Sequence, residues 1–170
     1  MGRGARASDA PSARVAWGGR RLLLATLLVA GCRGDADRLA SQARAEVRAE
    51  LAHYNDRVAQ MDSRGIAAMY TLDAEISEPG QPVTTGRDSI QSFLDSFIGF
   101  HVEENAMTSD TIVVKGTSLV QSGHFSQRVR MPDGTELRPR GSFTAEWVRE
   151  RDGKWRIRRM HSVPDPVESK

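Results

Sequence analysis

The chain has 170 residues, with 24 basic against 22 acidic side chains and a formal charge of +2, a size that suits one domain plus an appendage. The basic surplus sits in the first 31 residues, where Arg3, Arg6, Arg14, Arg20 and Arg21 oppose Asp9 alone. Without them the balance is 19 basic to 21 acidic, a net charge of −2, which excludes the basic stripe that a nucleic-acid-binding domain carries.

The apolar run at residues 22–30, LLLATLLVA, follows the arginines and ends at Gly31-Cys32. A positive segment, a short apolar core and small residues before a break predict a secretory signal over residues 1–31. The run is far below the roughly 18 apolar residues that a membrane-crossing helix needs. Val29-Ala30-Gly31-Cys32 resembles a bacterial lipobox, in which the signal is cut and the cysteine takes a lipid. That resemblance implies a protein anchored through a lipid on Cys32, outside the cytoplasm in the bacterial cell envelope, with residues 32–35 as a polar tether. Arg20-Arg21-Leu22-Leu23-Leu24 suggests twin-arginine export as the alternative route. Cys32 is the sole cysteine, so an internal disulfide is excluded. The 139 residues from Cys32 onward must be held by an ordinary core, for which that length is adequate.

Ala40, Ala43, Val47, Leu51, Tyr54, Val58 and Met61 recur at spacings of three and four, predicting a long amphipathic helix that begins near residue 36. Only three heptads precede Gly65, so packing on a sheet is expected rather than a coiled coil. Asp62 is placed to cap a second, shorter helix through Tyr70, with Ile66, Met69 and Tyr70 turned inward. Residues 74–77 read as a short strand, closed by the turn Glu78-Pro79-Gly80-Gln81-Pro82, and residues 84–86 as another. Ile90, Phe93, Leu94, Phe97 and Ile98 fit the apolar template of a third helix.

From His101 the period changes to two, with strands expected at 111–114, 119–130, 135–149 and 155–163. In the last hairpin Gly141, Phe143, Ala145 and Trp147 share one face, and Ser142, Thr144, Glu146 and Val148 the other. Asp152-Gly153 supplies the turn. Helices first and an antiparallel meander afterwards predict an α+β domain, with three N-terminal helices on one face of a curved antiparallel sheet. Residues 164–170 read as a flexible tail.

The long helix into Asp62, Met69-Tyr70 with Asp73-Ala74, Thr85-Gly86-Arg87-Asp88-Ser89-Ile90 and the terminal hairpin occur in this order over residues 36–163. Together they resemble the nuclear-transport-factor-2-like superfamily, in its SnoaL-like branch. The resemblance implies a cone-shaped domain with one open pocket between the long helix and the concave sheet. Its best understood enzymes are the ketosteroid isomerases, and their pattern places Tyr54 at an oxyanion-donating tyrosine and Glu78-Pro79 at the base. A carboxylate beside an apolar pocket can abstract and return a carbon-bound proton, and a phenol can donate to the developing enolate oxygen. Ala145 stands where the second donor belongs. Losing one such donor removes about 3 kcal/mol of transition-state stabilisation, which argues against this particular reaction.

No cofactor is implied. His53, His101, His124 and His161 show no metal-ligand spacing, so no metal site is expected; His101 and His161 are acid–base candidates only if the fold brings them to the pocket. Arg149, Arg151, Lys154, Arg156, Arg158 and Arg159 interleave with Glu146, Glu150 and Asp152, which reads as a salt-bridged outer face rather than a lipid-headgroup contact. The leading expectation is a non-catalytic domain that binds a small, largely apolar molecule or a protein partner, with Tyr54, Phe143, Ala145 and Trp147 lining the pocket. One alternative is a small isomerase, cyclase or hydrolase using Glu78 as base and Tyr54 as electrophilic donor. Another is an interaction module with a filled cone that forms a homodimer through its sheet.

Overall fold

The computed structural model describes the backbone of residues 24–166 and the side chains of residues 34–166. The chain divides into two units, residues 1–37 and 38–170. The expected signal segment up to residue 23, the side chain of Cys32 and residues 167–170 lie outside the described residues. In chain order the elements are α1 (Leu24–Ala59), α2 (Ser63–Ala68), β1 (Tyr70–Ser77), β2 (Thr84–Thr85), α3 (Arg87–Asp95), β3 (His101–Lys115), β4 (Ser118–Arg130), β5 (Glu136–Leu137), β6 (Arg140–Arg149) and β7 (Trp155–Pro164). Helical backbone takes in residues 32–35, where the sequence suggests a tether. No helix among the described residues is long and apolar enough to cross a membrane.

The fold is α+β. Its seven-stranded sheet has the order β2-β1-β7-β6-β4-β3, with β5 added to β4. Register shifts interrupt the pairing at residues 70–75, 102–104, 109–111 and 146–147, and such bulges bend a sheet. One expectation is corrected: the sheet is not wholly antiparallel, because β1 pairs with β7 in parallel. Hairpins fix the direction of each strand in the meander. The connection from β1 to β7 instead runs through α3 and the intervening strands, long enough for a parallel neighbour.

The stripe on α1 packs as its spacing predicts. Val47 and Leu51 are buried, and Ala43, Tyr54 and Val58 pack against the same core. Glu46 on this helix accepts from Trp155 Nε1 at 2.8 Å and pairs with Arg149, tying α1 to the last hairpin. The bond from Trp155 holds the Glu46 carboxyl below its ordinary value. On the other side, Asn55 meets the free edge of β3. Its Oδ1 accepts from Met107 N at 2.9 Å and its Nδ2 donates to Met107 O at 3.0 Å. Arg44 Nε donates to Ile112 O. Helix side chains thus occupy backbone groups that an edge strand otherwise leaves open.

Asp62 caps α2 by accepting from Gly65 N at 2.9 Å. The helix ends at Ala68, earlier than predicted, and Tyr70 opens β1 instead. The third helix also stops early, at Asp95. Ser96 Oγ donates to Phe93 O, and Gly99 takes a positive φ of 85° that closes the turn. Only Ile90 of its predicted stripe is buried in the core, whereas Ile98 is 84% exposed. The strand expected at 135–149 is split, because Arg138-Pro139 leave the ladder between β5 and β6 and proline has no N–H to give it.

Two chain reversals share one design. In residues 131–135 and 150–154 an Asp-Gly pair closes the loop, with Gly134 and Gly153 at positive φ. Asp133 and Asp152 each accept from the backbone N–H two residues on. This is a type I turn followed by a left-handed residue, rather than a two-residue turn. The hydrogen bond from Arg156 lowers the Asp152 pKa from 3.8 to about 2. A carboxyl whose folded value is depressed contributes stability above its unfolded pKa and loses it as pH falls through the folded one. The Tm gap between wild type and Asp152→Asn should therefore be widest at neutral pH and close between pH 3.8 and about 2. A gap that stayed constant across an acid series of thermal melts would remove Asp152 from the acid response.

Candidate functional site

Two adjoining cavities open between α1, α3 and the sheet, with volumes of about 290 Å³ and about 700 Å³. Tyr54, Leu94, Phe97, Gln127 and Pro139 border both. The space exists because of register. β6 pairs with β4 only as far as Ser126, where Arg140 is its partner. Beyond that point β4 keeps β3 on one edge, but on the other it has only the Pro139 carbonyl, which accepts from Gln127 N, and the two-residue β5, so no long strand closes that side.

The walls are mainly apolar. Val58, Met61 and Ile66 face the smaller cavity, and Met107, Phe125 and Met160 the larger. Phe93, Phe97 and Phe100 form an edge-to-face run with ring centroids 5.2 and 5.5 Å apart. Aromatic pairs in this geometry are favourable beyond their buried area.

Among the polar groups of the wall, which include Gln127 and, in the larger cavity, Glu78, two phenols are bonded to each other. Tyr54 and Tyr70 share a hydroxyl–hydroxyl hydrogen bond of 3.1 Å, with their rings edge-on at 6.3 Å. Burial raises the pKa of Tyr54, and raises that of Tyr70 well above its ordinary value. Both therefore remain protonated donors at neutral pH. The TGRDSI segment has a role in this arrangement. Gly86, at a φ of 91°, turns the chain into α3, and Arg87 Nε then donates to Tyr70 O at 2.9 Å. Ile157 N donates to Met69 O at 2.9 Å, so the backbone that carries Tyr70 is held from two sides.

Of the residues expected at the site, Tyr54 lies on both cavity walls. Glu78 borders the larger one, exposed in the turn after β1, where Gln81 N donates to its carbonyl. Phe143, Ala145 and Trp147 do not border either cavity. They are buried in the packed core with Val47 and Leu51, at 2%, 0% and 0% exposure. They do share the inward face that the alternation predicts, but at these positions that face is filled by the core rather than open to a cavity. The wall is supplied instead by Phe125 and Gln127 of β4 and Met160 of β7.

Sequence reasoning missed Tyr70 and Gln127. Tyr70 is visible as the second residue of Met69-Tyr70, but its spacing from Ile66 reads as the end of a helix. His101 and His161 border neither cavity; His161 Nδ1 shares a 2.9 Å hydrogen bond with Ser77 Oγ. Among the described residues no three His, Cys, Asp or Glu side chains converge to hold a metal ion. The basic hairpin is ion-paired: Arg156 meets Glu150 and Asp152, Arg158 meets Glu146, and Arg159 meets Glu75 and Glu146.

Solved structures share this fold. A ketosteroid isomerase-like protein from Erwinia carotovora atroseptica superposes with a TM-score of 0.64 at 17% identity, over 72% of this chain and 96% of that one. A conserved protein from Planctomyces limnophilus gives 0.68 at 16% identity, over 75% and 99%. ActVI-ORFA from Streptomyces coelicolor gives 0.63 at 20% identity, over 73% and 98%. No curated protein matches the chain. A family profile described as SnoaL-like domain matches residues 40–161, a span that holds both tyrosines, Gln127 and the whole core of the sheet, and the chain therefore belongs to the SnoaL-like domain family.

Proposed function

We propose that this chain is a lipid-anchored envelope protein whose cone-shaped SnoaL-like domain binds a small, largely apolar molecule without transforming it. The observation that carries the binding reading is the hydrogen-bonded Tyr54–Tyr70 pair set in a mainly apolar wall. Such a wall with a few convergent polar groups is what a small-molecule site requires. The phenol pair suits a ligand carbonyl or hydroxyl oxygen, and the Phe93–Phe97–Phe100 run suits the flat or aliphatic body. The two cavities weigh against an interaction module with a filled interior. The envelope address rests on the lipobox-like segment ending at Cys32. Its test is the intact mass of chain from a bacterial membrane fraction, which should show residues 1–31 removed and a lipid on Cys32.

One observation favours a catalytic version. Glu78 borders the same cavity as Tyr54, so a base and an electrophilic phenol face one space, in keeping with the likeness to the ketosteroid isomerase-like protein of Erwinia. Against it stand the exposure of Glu78 and the buried Ala145 at the second donor position.

Native mass spectrometry of the full chain, wild type and Glu78→Gln, separates these readings. A retained adduct of equal mass in both supports binding. An adduct trapped only by Glu78→Gln moves the catalytic version ahead, and a clean chain in both overturns the pocket. Tyr54→Phe should lower adduct occupancy by an affinity factor of about five to ten, the worth of one hydrogen bond. Unchanged occupancy would show that the phenol makes no contact with the ligand.

A further inference from the structure

We infer that Gln127 makes the cavity selective for ligands that donate a hydrogen bond, hydroxyl or N–H compounds, over acceptor-only and anionic ones of the same shape. This rests on the pocket reading above and specifies its ligand class. Gln127 borders both cavities, and a free glutamine amide can present either its oxygen or its nitrogen. Here a chain of amides removes that choice.

The chain starts at a backbone group whose polarity cannot reverse. Met107 N donates to Asn55 Oδ1 at 2.9 Å, and Asn55 Nδ2 donates to Met107 O at 3.0 Å, so the Asn55 amide has one orientation. Asn55 therefore offers two acceptors to Asn105, and Asn105 Nδ2 takes both, at 2.9 Å to Oδ1 and 3.3 Å to the backbone carbonyl. That leaves Asn105 Oδ1 facing Gln127, whose Nε2 donates to it at 2.9 Å. Flipping any one amide would set donor against donor or acceptor against acceptor. Gln127 Oε1 and the second Nε2 hydrogen are left without partners among the described residues. With the nitrogen anchored on Asn105, the free end of the amide is the oxygen, and it presents an acceptor.

The remaining electrostatics agree. Neither cavity has an Arg, Lys or His in its wall among the described residues, and the carboxylate on the rim is Glu78. Arg128, Arg138 and Arg140 line a separate cavity that Gln127 also borders, and there they are paired with Glu103, Glu104, Glu136 and Asp165. An anionic headgroup entering this space would lose water without meeting a cation. A neutral molecule with an O–H or N–H at one end meets Gln127 Oε1, and its acceptor atoms can meet the phenols.

Fluorescence titration of the purified full chain with three probes of one shape tests this: 2-naphthol, 2-methoxynaphthalene and 2-naphthoate. Wild type should bind the naphthol about fivefold to tenfold more tightly than the ether, and the naphthoate more weakly than either. Gln127→Leu should bring the naphthol and ether affinities together. Asn105→Ala frees the Gln127 amide to turn its N–H toward the ligand, so the ether should gain relative to the naphthol, a change that mere loosening of the wall would not produce. Equal naphthol and ether binding by wild type, or a preference unchanged in both variants, overturns the selectivity and leaves the pocket standing. Binding of none of the three overturns the pocket reading itself and this inference with it.

Discussion

Replacing Trp147 by alanine is expected to lower the unfolding free energy by about 4 kcal/mol, the usual loss when a large aromatic is deleted from a core. Trp147 is fully buried at the centre of the domain core, so the neighbouring strands on both sides limit how far the hole can collapse. There is a second loss. Trp147 Nε1 donates to Gln121 Oε1 at 2.8 Å. Gln121 is itself fully buried, and its Nε2 has no partner among the described residues. Without the indole both ends of that amide are unpaired, and each such buried group costs about 1–3 kcal/mol.

Trp147→Phe separates the two effects, because it keeps most of the ring volume and removes the N–H. It should cost about 2 kcal/mol, and Trp147→Phe with Gln121→Met should recover part of that loss by leaving no amide behind. Urea denaturation of the three variants reads this directly. A Trp147→Phe variant as stable as wild type would mean that the buried hydrogen bond contributes nothing.

Gly123→Ala is expected to cost at least about 3 kcal/mol, in the range reserved for overpacking and forced backbone displacement. A Cβ at this position would lie 1.8 Å from Thr108 O and 2.9 Å from the Phe143 ring. The ring can move a little, but the carbonyl belongs to β3 and cannot retreat without opening the β3–β4 ladder next to its bulge at residues 109–111. Gly34→Ala, with nothing within 4 Å of the added carbon, is the matched control. Circular dichroism and urea titration of both variants should show the loss at residue 123 alone. A Gly123→Ala chain of wild-type stability would show that the two strands are not held this closely.

The last hairpin was legible because each of its strands keeps one face in the core, and a half-buried strand writes that fact as an alternation. Gly141, Phe143, Ala145 and Trp147 are all buried, and Ser142 and Thr144 are exposed. By contrast β3, expected over 111–114 only, runs His101–Lys115 with Ile112 alone buried, and an edge strand so exposed leaves little alternation to read. The α1 stripe and the Asp62 cap were legible for the corresponding reason at helical spacing. Where the third helix ends was not. Phe93, Leu94, Phe97 and Ile98 satisfy the template, but Ser96 and Gly99 terminate the helix and turn Phe97 toward a cavity instead of the core. An apolar residue facing empty space and one facing a packed neighbour look the same in a sequence.

Of the polar residues that border the cavities, the sequence pointed to Tyr54 and Glu78 but not to Tyr70 or Gln127. Tyr54 sits on a periodic stripe and could be found there. Its partner Tyr70 is brought to it by the parallel pairing of β1 with β7, and Gln127 is oriented from Asn105 and Asn55, both far away in the chain. Nothing local in Met69-Tyr70 or Ser126-Gln127-Arg128 signals either arrangement. The distance of Phe143, Ala145 and Trp147 from the cavity walls had the same origin. Phe143 and Trp147 have the face and the size of pocket residues, and only the tertiary packing that fills their end of the sheet with core neighbours keeps them off the cavity walls.

The double duty of Asn55 bears on how this protein can change over generations. The same carboxamide shields the backbone of a 15-residue edge strand and, through Asn105, orients Gln127 at the cavity wall. An inherited substitution there that altered which molecules are accepted would in the same step bare a template on which further chains can add strands. Tolerance for such a change is therefore limited by solubility as much as by ligand taste. Descendants that accept new molecules should carry their substitutions at Phe93, Phe97 and Phe100, whose rings shape the cavity without guarding any strand edge.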